Sequence, residues 1–175
     1  MTRFALAACL ALPLALPAAA QDGPAAARAT LTDTDGAEIG TVYVRPNPSG
    51  IATISIALTD VPEGSHGVHV HETGDCSAAD FTSAGGHLAG DAQHGVGVEG
   101  GPHPGDLPNV IATADGVVNV EAFNALLTMD MLFDDDGSAF IVHSGPDDYE
   151  SQPSGESGDR IACGVFEEAD DAPAN

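Results

Sequence analysis

A chain of 175 residues that is 43% hydrophobic, with 21 glycines and 12 prolines, has the size and composition of one turn-rich globular domain. Its 27 acidic residues face four arginines and no lysine, giving a formal net charge of −23, which excludes nucleic-acid binding through clustered cations. We interpret the acidic residues as a solvated surface rather than an acidic docking face. Because tryptophan is absent, the core must use aliphatic and β-branched residues, which favours strands.

The first twenty residues have the pattern of a secretory signal peptide. Arg3 supplies the positive charge, residues 4–16 the apolar run, and residues 18–20 a small-residue cleavage site. An alternative interpretation takes residues 6–9, which end at Cys9, as a lipoprotein cleavage box. We expect cleavage near Ala20 and a periplasmic or secreted mature chain, without a membrane span.

Alternation of apolar and polar residues begins after a segment, residues 21–26, that we expect to be flexible. The alternation recurs in eight segments separated by glycine-rich or acidic turns, and each segment is a predicted β-strand. These segments are residues 27–31, 39–45, 51–59, 66–72, 109–113, 117–123, 138–143 and 160–166. Residues 129–136 are ambiguous, and the acidic tail, residues 167–175, is predicted to be disordered.

Two long segments, residues 73–108 and 144–159, interrupt the strand pattern and are rich in glycine and acidic residues. A connection as long as the first is uncommon in a compact domain unless it carries function. The sequence therefore predicts an all-β fold, an eight-stranded antiparallel Greek-key sandwich or barrel with two long functional loops. The single domain is expected to span residues 27–166.

All seven histidines lie between His66 and His143. His69 and His71 are two apart in a predicted strand, so both imidazoles leave the same face and can reach one ion, which suits copper. Such a pair alone is also compatible with two solvent-facing histidines. His66 has the opposite parity, and we predict that it is a structural, hydrogen-bonded histidine.

The first long loop carries His87, His94, His103 and Asp106, three imidazoles and a carboxylate that suit tetrahedral zinc. Glycines before His87 and His103 allow the backbone to bend closely around an ion. The alternative is a solvated histidine-rich loop.

Two cysteines, Cys76 and Cys163, remain once Cys9 is removed with the signal. In a compartment that permits disulfides we expect them to pair, which would stabilise the fold by roughly 4 kcal/mol through the long loop that they close. The alternative is two unrelated buried thiols.

Four blocks of the chain resemble the sequence signatures of copper/zinc superoxide dismutases of the exported bacterial type. They are GVHVHE at residues 67–72, AGGH at 84–87, PHPGDLPN at 102–109 and RIACGV at 160–165. Their order and approximate spacing match, and the resemblance covers about residues 27–166.

The resemblance implies a role for each candidate residue. Copper would be bound by His69, His71, His87 and His143, and zinc by His87, which bridges the two metals, with His94, His103 and Asp106. Asp147 or its neighbour Asp148 would be the carboxylate that links ligands of both metals, and Cys76 with Cys163 the family disulfide. Arg160 would hold the superoxide anion beside copper, the alternative being a surface ion pair.

The implied activity is dismutation of superoxide to oxygen and hydrogen peroxide, with copper cycling between Cu(II) and Cu(I). His87, as a proton carrier, and Arg160 would be the catalytic residues. The alternative is a non-catalytic periplasmic module that binds or buffers copper and zinc, which needs neither Arg160 nor Asp147. A structural or adhesive β-sandwich, the third interpretation, would purify without stoichiometric metal. A monomer and a homodimer are both compatible with the sequence.

The sequence departs from the family pattern in three respects. The segment between His87 and His94 is shorter and lacks a proline after His87, the loop at residues 144–159 is compact, and that loop lacks the lysines that attract substrate in the family. Zinc-site geometry and substrate steering are therefore the properties expected to differ.

Overall fold

The computed structural model describes residues 25–170, so the predicted signal peptide and residues 171–175 lie outside it. The described chain forms nine β-strands, one α-helical turn and one 3₁₀ turn at Thr82–Ala84. The elements are β1 (Ala26–Asp33), β2 (Glu38–Arg45), β3 (Ala52–Leu58), β4 (Gly64–His66), β5 (Val68–His71), β6 (Val110–Ala112), β7 (Val118–Asn124), α1 (Met129–Leu132), β8 (Ala139–His143) and β9 (Arg160–Ala169). None of these helical turns is long and apolar enough to cross a membrane.

Seven strands form one antiparallel sheet in the order β5-β8-β9-β1-β2-β3-β7, and β4 pairs with β6 in a second sheet. The small sheet joins the two edges of the large one, because β4 leads directly into β5 and β6 lies against β7. Strands that are consecutive in the chain, such as β7 and β8, lie near opposite ends of the order, which makes the connections of the Greek-key type. The predicted all-β Greek-key architecture is therefore confirmed.

The core lies inside the curled sheets and is aliphatic. In β3, Ile54, Ile56 and Leu58 are buried, whereas the intervening Ser55 and Ala57 are partly or fully exposed, as strand alternation requires. The first long loop adds Leu88 and Leu107 to this core and lies against β5.

The predicted strand at residues 66–72 is broken at Gly67, which raises the strand count from eight to nine. The Gly67 N–H donates to the Gly145 carbonyl at 2.8 Å, and the Gly67 carbonyl accepts from the His143 N–H at 2.9 Å. A Cβ at Gly67 would lie 2.7 Å from Ser157 Oγ, so a side chain at this position would displace Ser157. After the break the chain pairs with β8, which brings its histidines next to His143.

The first and last strands of the chain, β1 and β9, are longer than their alternation patterns predict. Ala26 pairs with Ala169 and Ala27 with Glu168, so β1 and β9 satisfy each other's backbone groups to their ends. The expectation that Ala26 is flexible is wrong, as is the expectation that residues 167–169 are disordered. Residues 21–24 lie outside the described chain.

Within the ambiguous segment, residues 129–132 form a single helical turn. Thr128 caps it, because its Oγ1 accepts a hydrogen bond from the Met131 N–H. The turn leads into β8, and Ser138 Oγ donates to the Leu132 carbonyl at 2.9 Å, which fixes the connection.

Cys76 and Cys163 form a disulfide, as predicted, across a sequence separation of 87. Cys163 is buried in β9 and packs with Phe81 and Ala84 in a small apolar cluster beneath the first long loop. The bond therefore ties the start of that loop to the central part of the barrel.

Candidate metal centre

The first long loop covers the outer edge of β5, the strand that carries His69 and His71. Val70 N–H donates to the Gly105 carbonyl at 2.9 Å, and Leu88 N–H donates to the Val70 carbonyl at 2.8 Å, so two stretches of the first long loop lie against the strand. The two histidines are 0% and 1% exposed. The interpretation of this pair as solvent-facing residues is therefore excluded.

Four imidazoles converge beside β5. His69, His71, His87 and His143 each contribute one ring nitrogen, and these four nitrogens lie within 4.8 Å of one another. We call this set the four-histidine group. His143 arrives from the neighbouring strand β8, and His87 from the loop, where its backbone bridges to that of His71.

In each ring of the four-histidine group one nitrogen has no hydrogen-bond partner among the described residues. These atoms are His69 Nδ1, His71 Nε2, His87 Nε2 and His143 Nε2. Nδ1 of His71 and of His143 faces a carbonyl oxygen, of Gly85 at 3.0 Å and of Gly158 at 3.3 Å, and must therefore carry the proton. The buried lone pairs that remain suit an imidazole-preferring ion such as copper.

Burial lowers the pKa of each histidine in this group. The pKa of His71 falls to about 2 because of burial and the nearby His87. That of His143 falls to about 3 because of burial and the nearby His69. That of His87 falls to about 4 because of burial, although its contact with Asp106 opposes the shift. Burial also lowers the pKa of His69 despite its contact with Asp147. All four rings are thus neutral near pH 7, the form that metal binding requires.

A second convergence surrounds Asp106. Its Oδ1 lies 3.1 Å from Nδ1 of each of His87, His94 and His103, and we call these four residues the Asp106 group. The other oxygen, Oδ2, accepts the N–H groups of Gly95 at 2.8 Å and His103 at 3.0 Å, which fixes the carboxylate.

The charge and ligand atoms of the Asp106 group suit zinc. Burial alone would raise the pKa of Asp106, but hydrogen bonds from His87 and the Gly95 N–H outweigh it and hold that pKa below its usual range. His69 also lies within 4.8 Å of His87, His94 and Asp106, yet its Nε2 is engaged by Asp147. His103, whose Nδ1 faces Asp106, is therefore the better fourth ligand for Zn²⁺.

His87 belongs to both groups. Its Nδ1 faces Asp106, whereas its Nε2 is the unpartnered atom in the four-histidine group. Its ring stacks on that of His69 with the centroids 3.9 Å apart. One imidazole can therefore contact an ion on each side.

Asp147 joins the two groups by a second route. Its Oδ2 accepts from His69 Nε2 at 2.8 Å and its Oδ1 from His94 Nε2 at 3.0 Å, and the residue is buried. Asp148 is exposed and accepts from Ser151 and the Glu150 N–H instead. Of the two aspartates that the sequence leaves open, Asp147 is the one that contacts the histidines.

Arg160, at the start of β9, lies beside the four-histidine group. Its Nη1 donates to the Phe81 carbonyl and its Nη2 to the Gly85 carbonyl, both at 2.6 Å. Its positive charge contributes to the lowered pKa of His71 and of His143. The guanidinium is therefore anchored on main-chain oxygens near the histidines, an arrangement that differs from a surface ion pair.

His66 has the structural role expected from its parity. Its Nδ1 and Nε2 lie 2.7 Å from the carbonyl oxygens of His143 and Pro62, respectively.

Sequence reasoning missed Asn109, whose side-chain amide bonds to both the N–H (2.8 Å) and the carbonyl (2.9 Å) of Asp147. It also missed Asn124, which donates to the Pro104 carbonyl at 2.9 Å.

Comparison with known proteins gives consistent matches. Residues 38–166 match the family model described as copper/zinc superoxide dismutase (SODC). The superoxide dismutase [Cu-Zn] of Caulobacter vibrioides is 38% identical over 174 residues, which cover 95% of this chain and 99% of that protein. Superoxide dismutase [Cu-Zn] 2 of Aquifex aeolicus is 38% identical over 146 residues, which cover 80% of this chain and 85% of that protein.

Solved structures give the same result. The crystal structure of a SOD-like protein from Bacillus subtilis aligns with a TM-score of 0.73 and 38% identity, over 79% of this chain and 96% of that one. The Cu/Zn superoxide dismutase from Brucella abortus aligns with a TM-score of 0.68 and 32% identity, over 81% of this chain and 99% of that one.

Proposed function

This chain belongs to the copper/zinc superoxide dismutase family, and we propose that its four-histidine group binds the copper and its Asp106 group the zinc. The reaction converts two superoxide ions and two protons to one oxygen and one hydrogen peroxide molecule. The observation that supports this assignment best is the set of four unpartnered, buried imidazole nitrogens that face one another next to a three-histidine, one-carboxylate group.

Each ligand is assigned by the atom that faces its group. Copper is assigned to His69 Nδ1 and to Nε2 of His71, His87 and His143. Zinc is assigned to Asp106 Oδ1 and to Nδ1 of His87, His94 and His103. When bound, copper supplies the redox chemistry, since its Cu(II) and Cu(I) states allow one superoxide to be oxidised and the next reduced.

When its Nε2 is not bound to copper, His87 is proposed to carry a proton on that atom. Its Nδ1 faces Asp106 and the zinc side, so Nε2 is the ring atom that can take up and release a proton toward the substrate. Asp147 keeps the His69 proton on Nε2 and so leaves Nδ1 free for copper. Burial disfavours the doubly protonated form of both rings, so a nitrogen of each stays available for a metal.

Arg160 is proposed to bind the superoxide anion. Two of its five N–H groups are held by main-chain carbonyls, which fixes the guanidinium and leaves other N–H groups for an anion beside the four-histidine group. A preorganised cation of this kind lowers the energy of negative charge that arrives or develops next to it. A metal-buffering protein has no need of it, so Arg160 favours catalysis over the buffering alternative.

We also propose that the mature chain is exported to the periplasm or beyond. Residues 1–20 have the pattern of a signal peptide, and the disulfide between Cys76 and Cys163 is typical of oxidising compartments. Intact mass and N-terminal sequencing of protein recovered from the periplasm would test the cleavage near Ala20.

The test of function is metal analysis combined with direct measurement of superoxide decay on protein purified from an oxidising compartment. We expect equimolar copper and zinc and strong acceleration of the decay. Stoichiometric metal without acceleration would support the buffering module, and an active protein without copper would contradict the proposed centre.

A further inference from the structure

His94 lies in a stretch of the first long loop that has no helix or strand to satisfy its backbone. It is 0% exposed, so its N–H and carbonyl need partners within the protein. Neither group is satisfied by a neighbouring strand, and both instead bond to one side chain from the second long loop.

That side chain is Gln152. Its Oε1 accepts from the His94 N–H at 3.0 Å, and its Nε2 donates to the His94 carbonyl at 2.9 Å. The second N–H of the amide donates to the Glu150 carbonyl at 3.0 Å, which fixes the orientation of the amide. Both donors and the acceptor of the amide are therefore used.

The second loop also holds the ring of His94. Asp147 Oδ1 accepts from His94 Nε2 at 3.0 Å, on the side of the ring opposite to Asp106. Next to this contact the Gly97 N–H donates to the Tyr149 carbonyl at 3.1 Å, and Gly95 packs so closely on that carbonyl that a side chain would not fit. The same loop thus holds His94 by its backbone and by the tip of its ring.

We propose that Gln152 is a positioning residue for zinc: its amide fixes the backbone of His94, so that Nδ1 stays aimed at the ion. This inference rests on the proposed zinc site. His94 follows a short segment and lies in no helix or strand, so no regular element supplies hydrogen bonds to its backbone. The Gln152 amide supplies them instead. Its removal leaves two buried backbone groups unpaired and allows the ligand to turn away, which predicts faster zinc release.

The experiment compares metal-loaded wild type with Gln152→Ala, Gln152→Glu and the matched control Asn47→Ala. Asn47 also uses its amide to bridge a turn, donating to the Ile51 carbonyl and to Thr53 Oγ1, in the connection between β2 and β3. The measurements are the rate of zinc transfer to a chromogenic chelator, the visible spectrum of protein carrying Co²⁺ in the zinc site, and copper content.

We expect Gln152→Ala to release zinc about 10- to 100-fold faster, the usual effect of losing a group that orients a ligand, with an altered cobalt spectrum. Gln152→Glu keeps the acceptor for the His94 N–H but turns a carboxylate oxygen toward the carbonyls of His94 and Glu150, and should release zinc at least as fast as Gln152→Ala. Asn47→Ala should match wild type in both measurements.

Wild-type zinc release and an unchanged cobalt spectrum in Gln152→Ala would overturn the proposal, as would equal effects in Asn47→Ala. If Gln152→Ala does not fold, the same two measurements on Gln152→Glu decide. Failure of wild type itself to hold zinc or cobalt would instead refute the zinc assignment on which the proposal rests.

Discussion

Arg160 and His71 share one acceptor, the carbonyl oxygen of Gly85, which receives Arg160 Nη2 at 2.6 Å and His71 Nδ1 at 3.0 Å. The shared oxygen fixes the guanidinium relative to the ring whose Nε2 is assigned to copper. Because Gly85 precedes His87 by two residues, the position of His87 is linked to the same point.

Replacement of Arg160 is expected to separate substrate attraction from metal binding. Arg160→Ala should lower kcat/KM about 10- to 100-fold, the usual worth of a charge-assisted hydrogen bond, while copper and zinc contents stay at wild-type values. Arg160→Lys keeps the charge but not the two-point anchor, and should be intermediate. The control is Arg28→Ala, since Arg28 is exposed on β1 and its side chain donates to Thr30 Oγ1. A loss of copper in Arg160→Ala would contradict the assigned role.

Removal of His143 tests the copper assignment. His143→Ala should weaken copper binding and remove nearly all activity while zinc stays bound, because its Nε2 belongs to the four-histidine group alone. His66→Ala should keep both metals and activity but lower the free energy of unfolding by about 1–3 kcal/mol, since the buried His143 carbonyl and the part-buried Pro62 carbonyl each lose a ring nitrogen at 2.7 Å. Metal analysis and urea unfolding distinguish the two, and normal copper in His143→Ala would refute the site.

The disulfide is expected to stabilise both the barrel and the loop. Cys163→Ser should lower the free energy of unfolding by about 2–5 kcal/mol, measured by chemical denaturation of protein with matched metal content. Cys76→Ser should give a similar loss, and the double variant should add little to either, because both single changes break one bond. Additive losses would show that the cysteines stabilise the fold independently.

The metal-free protein is expected to lose stability in acid. The pKa of His87, His143 and His71 lies at about 4, 3 and 2 in the folded chain, against 6.5 unfolded. Below pH 6.5 the unfolded chain therefore binds protons that the folded chain does not, and each histidine lowers stability by up to about 1.4 kcal/mol per pH unit until its folded pKa is reached. Urea midpoints measured on chelator-treated protein should fall accordingly, and His143→Gln should reduce the slope; a flat profile above pH 4 would contradict this expectation.

Raising the ionic strength should change the rate of catalysis mainly by screening the repulsion between superoxide and the acidic protein. The chain carries −23 formal charges and no lysine, so beyond the immediate surroundings of Arg160 the field opposes an anion. Raising the salt from about 0.01 M to about 0.1 M shortens the screening length from roughly 30 to 10 Å, and kcat/KM should rise or stay constant. Superoxide decay should be followed directly in a weakly coordinating salt, because phosphate could occupy the Arg160 site. A several-fold fall would show that a local positive field dominates.

The strand pattern predicted most of the fold, because strands with one buried face have apolar and polar residues in alternation. The break at Gly67 could not be predicted that way, since it arises from a change of pairing partner, from β6 to β8, that depends on distant residues. The extension of β9 was missed for a similar reason. Glu167 and Glu168 are exposed and acidic, yet their backbones pair with β1.

The candidate site, too, could be predicted from the sequence only in part. Histidine spacing and the family resemblance predicted all seven candidate ligands, because ligands must be of particular residue types. The choice between Asp147 and Asp148 depends on the direction in which each side chain points, which the sequence of two adjacent aspartates does not indicate. Asn109 and Gln152 form hydrogen bonds with backbone atoms. Every residue has these atoms, so the sequence does not indicate which amide they bind.

The unpartnered nitrogens of the four-histidine group also bear on the lifetime of the protein in a cell. A buried polar atom without a partner costs about 1–3 kcal/mol, and a whole domain is stable by only about 5–15 kcal/mol. An ion that binds the folded state alone removes this cost and shifts the population away from unfolded chains. Copies made under metal starvation should therefore unfold more often and be degraded sooner, so the amount of this protein is expected to follow copper and zinc supply even when its synthesis is constant.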